Sequence, residues 1–245
     1  MRPFAVRALL WKELRQVGRN RTALLTAAFL PFILLFVAPI QLLFQYRLLG
    51  GRALPSNLPL PGFDASDPNQ LLLQLVYPIL FVVGGLLLPS LTTSYAIVAE
   101  RERRSLELLV SLPVTVTEIL CAKLLMVLIV TCLVGLPYLA IVFVLLITIG
   151  VATPAAIPAL LAPFIAAVIC STSISLLLTL LARDFRSANN LNGVFFVPVL
   201  LVTIGTLSVV SGPGRTYVLA LVLLILAALA ALVAMRWITF ERYLE

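Results

Sequence analysis

Residues 119–149 read ILCAKLLMVLIVTCLVGLPYLAIVFVLLITI, an apolar run whose single charged residue, Lys123, lies near its start. About 20 apolar residues in helical form cross the roughly 30 Å hydrocarbon layer of a bilayer. Within that layer a lone segment must satisfy its own backbone hydrogen bonds, which a helix does and an isolated strand does not. The stretch therefore predicts a transmembrane helix, and similar runs occur at 23–44, 71–99, 159–181, 194–210 and 217–235. The expectation is an all-α polytopic membrane protein, with six transmembrane helices in a single transmembrane domain over residues 1–245. The fifth run is the shortest.

Composition agrees. Of the 245 residues, 62% are hydrophobic and 11% charged, against roughly 45–50% and 25% in an average soluble domain. Such an excess must face lipid. Cys121, Cys132 and Cys170 lie within or beside apolar runs and are odd in number, so no disulfide framework is implied. The net charge of +7 has an explanation other than nucleic acid. Fourteen of the seventeen Lys and Arg residues fall in the N-terminal tail, the second and fourth connections with their flanks, and the C-terminal tail, leaving Arg47, Arg52 and Arg215 on the other side. Positive charge is retained on the cytoplasmic face, so both termini are expected in the cytoplasm, in a cell inner (plasma) membrane. Trp11 and Trp237 fall at that predicted boundary, where amphipathic rings are favoured. The long polar start and the full-length first run read as an uncleaved anchor.

Two polar elements carry more pattern than topology requires. In residues 1–22, Val6, Leu10, Leu14 and Val17 share one helical side, with Lys12, Arg15 and Arg19 on another. That describes an amphipathic helix lying among anionic headgroups, or else a basic topogenic tail. In the connection 100–114, Glu100, Arg103, Arg104 and Glu107 share a face, with Leu106, Leu109 and Val110 beside it. Glu100 and Arg104 are in the favourable i, i+4 order. Pro113 discourages continuation, and Thr115-Val-Thr-Glu118 fits a capping box that starts the next helix. The segment reads either as a docking element for a soluble partner or as a solvated charge run extending the second helix.

The chain has no histidine, and its spans contain no Asp or Glu. The pairings used for hydrolysis or metal binding are missing, so no enzyme activity is expected. A buried ionisable relay of the kind proton-coupled carriers use is also lacking. No phosphate-binding loop occurs; any ATPase must be another polypeptide. The neutral polar residues Gln41, Gln74, Thr92, Thr93, Ser94, Ser171, Ser173 and Ser175 could line a pathway, or their hydroxyls could bond back to the i−4 carbonyl. In the last run, Ala227 with Ala231 and Ala230 with Ala234 give the spacing that lets helix backbones approach.

Trp11-Lys12-Glu13-Leu14 followed by Arg15 and Arg19, then Glu100-Arg-Glu-Arg103, Ser105-Leu-Glu107, Ser111-Leu-Pro113 and Glu118 to Lys123, resemble the membrane subunits of ABC type-2 transporters. The first group resembles that family's elbow helix and the second its coupling-helix signature. Ser105 stands where glycine is more usual, and Ser111 and Pro113 are separated by one residue. The resemblance implies a permease subunit, paired with a second copy or a paralogue, that forms an export pathway driven by a separate ABC ATPase. ATP and Mg would then sit on the partner, with no cofactor on this chain. Glu100, Arg101, Glu102, Arg103, Arg104, Leu106, Glu107 and Leu109 would couple the two subunits. Other readings are a haem-exporter-type permease of cytochrome c maturation, a sodium-coupled secondary carrier using neutral oxygens, and a non-transporting scaffold. No sequence feature selects a substrate.

Overall fold

The computed structural model describes residues 3–19, 29, 33, 37, 39–41, 44, 72–102, 116–181, 185–212 and 214–237. Most of the expected first span, the loop after it, residues 103–115 and the C-terminal tail lie outside the described residues. Within them every long regular element is helical: α1 (Pro3–Arg19), α2 (Tyr77–Glu102), α3 (Val116–Thr148), α4 (Ile157–Leu181), α5 (Phe185–Val209) and α6 (Arg215–Trp237). Five of these contain stretches long and apolar enough to cross a membrane, at Leu72–Thr93, Cys121–Thr148, Pro154–Leu178, Asn190–Val209 and Arg215–Ala234. The described part thus supplies five of the six expected spans. The fifth expected run proves to be part of a full-length helix: α5 begins at Phe185, through the polar stretch Ser187–Asn192 that the hydropathy reading had left outside the span.

Local sequence explains where the helices start, stop and tolerate proline. Residues Leu72–Val76 form a short π-helical turn leading into α2, whose second residue, Pro78, has no N–H to donate to an α-type bond. Helix α3 starts at Val116, immediately after Thr115, where the capping box predicts a start. It ends in a Schellman motif. Gly150 adopts φ of 78°, its N–H bonds the Ile147 carbonyl, and the Val151 N–H bonds the Leu146 carbonyl, both at 3.0 Å. Only glycine holds that left-handed conformation without strain. Prolines 89, 137, 163 and 198 lie inside α2, α3, α4 and α5. In membrane helices such breaks are tolerated because neighbouring groups satisfy the backbone. Near Pro89, Thr93 donates to the Pro89 carbonyl at 2.7 Å and Ser171 of α4 to the Leu86 carbonyl at 2.5 Å, whereas the carbonyl that Pro89 itself leaves without an α-type donor is that of Gly85.

Helix α4 is the centre. Of its spanning stretch 67% is buried, against 22% for that of α5, and α2 and α6 pack along it on two sides. Lipid offers no hydrophobic drive between helices, so close contact of small residues must supply the packing. Gly85 of α2 does this: a β-carbon there would sit 3.0 Å from both Ala167 Cβ and the Phe164 carbonyl oxygen of α4. On α6, Leu219, Leu223 and Ala227 recur every four residues and are buried with Ala166, Ala167 and Cys170 of α4. The alanine stripe of the last span faces inward in part, with Ala227 and Ala234 buried and Ala230 and Ala231 half-buried. A second cluster joins α2, α3 and α4 through Tyr77, Phe81, Phe143 and Phe164, with Phe81 and Phe143 edge-to-face at 5.6 Å between centroids. The Tyr77 hydroxyl donates to the Pro39 carbonyl at 3.3 Å, tying a described residue of the expected first span to the start of α2.

Candidate functional site

Hydroxyl partners separate the candidate pathway residues from those that serve the helices themselves. Thr92 donates to the Leu88 carbonyl at 2.6 Å, Thr93 to Pro89, and Ser173 to Ile169 at 3.0 Å. These are i−4 bonds within one helix, the alternative the sequence had left open. Ser171 instead joins α4 to α2 through Leu86. Gln41 is exposed and Gln74 half-buried. Ser94 is helical in α2, and its side chain lies outside the described residues.

Ser171 and Ser175 do come together with a residue the sequence reading did not single out. They line a small, partly open cleft between α2, α4 and α5, along with Leu86, Ile174, Asn192, Phe195, Phe196 and Val199. Asn192 is 2% exposed. Its signal was present: an amide two residues before an apolar run becomes a buried polar group once the helix is continued by two turns at its start. The walls are mostly apolar and the polar groups neutral.

The other concentration of polar chemistry lies where α1 crosses the start of α3. Leu10 and Leu14 pack against Met126, Val127 and Val130. Between them on the helix face lies Glu13, whose Oε1 is 3.6 Å from Lys123 Nζ. Their side chains are 5% and 1% exposed. Lys12 Nζ, half exposed, approaches the same oxygen at 3.8 Å. Glu118, in the first turn of α3, is also buried, and a carboxylate there is favoured by the positive end of the helix dipole. The outward side of α1 exposes Phe4, Trp11, Arg7, Lys12 and Arg15. The amphipathic pattern is therefore real but turned: apolar residues and Glu13 face α3, and aromatics and cations face out. Glu13 projects between Leu9 and Leu10 on the helical wheel, and Lys123 is the one charged residue of the 119–149 run, but that the two meet is set by the packing of α1 on α3.

The candidate coupling residues fall mainly outside the described residues. Glu100, Arg101 and Glu102 form the last turn of α2, while Arg103, Arg104, Leu106, Glu107 and Leu109 lie in the stretch 103–115. In sequence that stretch joins the end of α2 to the start of α3, and α1 packs against α3.

Comparison with known proteins gives one match. The family described as ABC-2 family transporter protein matches residues 7–218. No curated protein and no solved structure matches the chain.

Proposed function

The chain belongs to the ABC-2 transporter family, and on that premise we propose that it is the permease subunit of an ATP-driven exporter. Two copies, or this chain and a paralogue, would form the substrate pathway, and a separate ABC ATPase would dock on the cytoplasmic side. The observation that carries this reading is the family match over residues 7–218, together with the charged sequence from Glu100 to Glu107 between α2 and α3 and the buried Glu13–Lys123 pair near the start of α3. Spans without acidic residues offer no proton relay, so the driving energy is best supplied from outside the chain.

In this reading, ATP binding closes the ATPase dimer and moves residues 100–115. The displacement reaches α2 and α3 directly, since the segment joins them. Helix α2 is locked to α4 by the close approach at Gly85 and by the Ser171 bond, so its motion would pass to the centre of the bundle. The cleft beside Ser171, Ser175 and Asn192 would then open or close toward the pathway. Export is the direction the family resemblance implies. Reversing Arg103 and Arg104 to Glu tests the docking role: membrane insertion is retained and ATP hydrolysis by the complex no longer drives transport. Unchanged coupling in that variant removes the role from this segment.

A further inference from the structure

Helix α1 touches the described bundle chiefly through α3, and its contact has an ion pair at its centre rather than at its rim. Leu10 and Leu14 press on Met126, Val127 and Val130, and Glu13 and Lys123 meet among them almost fully removed from solvent. Apolar residues alone would have allowed α1 to slide or roll on α3, since methyl and methylene contacts have little directional preference. A buried charge pair fixes register, because any slip leaves two desolvated charges apart. Lys123 lies within two turns of the start of α3 at Val116, the end that follows residues 103–115 in sequence. By contrast α2 and α6 each pack along α4.

We propose that Glu13 and Lys123 are positioning residues that lock α1 to the start of α3, so that α1 moves with α3 when the 100–115 segment moves. The elbow-like helix is then a transmitted part of the drive rather than a passive float on the membrane surface. This rests on the permease reading for its purpose, but the locking itself does not.

Spin labels at Arg15→Cys on α1 and Val144→Cys on the far part of α3, in a chain with Cys121, Cys132 and Cys170 replaced by alanine, report the lock by pulsed dipolar spectroscopy in nanodiscs. Both label sites are exposed. The labelled parent should give one narrow distance, and K123M or E13Q should broaden it at least twofold. The swapped pair E13K/K123E should restore the narrow distance, which a general loss of folding would not do. In complex with the ATPase, the singles should lose at least tenfold in transport per ATP hydrolysed, and the swap should recover it. An unchanged distance distribution in K123M, or a swap that recovers neither readout, overturns the proposal. If no ATPase associates with the parent chain, the permease reading fails, and the distance measurement still decides whether the pair locks α1.

Discussion

Glu13 Oε1 lies 3.6 Å from Lys123 Nζ, joining the N-terminal helix to the first turns of α3 through two charges that solvent scarcely reaches. Removing one partner of such a pair strands the other, whereas replacing both by neutral groups of similar size is often harmless. We expect K123M to lower the stability of the detergent-solubilised chain by about 3 kcal/mol, toward the lower end of the range for such pairs because Lys12 remains near Glu13. The double variant E13Q/K123M should recover most of that loss. Thermal unfolding monitored by exposure of Cys170, a buried thiol, checks both; equal losses in the single and double variants would show that the charges themselves do not carry the contact.

Two glycines should respond oppositely to an added methyl. A β-carbon at Gly85 meets Ala167 Cβ and the Phe164 carbonyl oxygen at 3.0 Å, and neither is the free end of a flexible side chain. Gly85→Ala should push α2 away from α4 and cost about 1–3 kcal/mol as overpacking does. Gly193→Ala on α5 meets nothing within 4 Å and should stabilise by up to about 1 kcal/mol through helix propensity. Thermal unfolding of the two variants in the same detergent checks the contrast in sign.

Buried hydroxyls divide in the same way. Ser171 bonds across helices to the Leu86 carbonyl, so Ser171→Ala should cost about 0.6 kcal/mol, the average for interhelical bonds in lipid, and no more than about 1.7 kcal/mol. Thr131 is fully buried and its hydroxyl has no hydrogen-bond partner among the described residues. Thr131→Val keeps the shape and removes an unsatisfied polar group, so it should stabilise by roughly 1 kcal/mol. A loss of stability in Thr131→Val would mean that the hydroxyl has a role in a state other than the one described.

The helical class and the locations of α2, α3, α4 and α6 were legible because apolar runs in lipid have one backbone solution. The start of α5 was not, because Ser187, Asn190 and Asn192 lower the hydropathy of a segment that is nonetheless helical. Hydropathy measures transfer to lipid, while Asn192 is buried against protein. The i−4 bonds of Thr92, Thr93 and Ser173 follow from local geometry and could be anticipated. The meeting of Ser171 with Leu86, and of Glu13 with Lys123, depends on which helices become neighbours, and helical periodicity within one segment does not contain that information. The amphipathic reading of α1 found its apolar side but placed no acidic residue on it, since a carboxylate facing inward makes sense only once its cation is known.

The central claim is that a separate ATPase drives this permease. The direct measurement is affinity purification of the tagged full chain from its native membrane, followed by assay of vanadate-sensitive ATP hydrolysis in the purified material. The account predicts a stoichiometric ABC ATPase subunit in the wild-type eluate, with hydrolysis to match. It further predicts loss of that subunit, or of its coupling to transport, in the variant with Arg103 and Arg104 reversed to Glu. A chain that purifies without any ATPase and moves its substrate on a sodium gradient alone would contradict it.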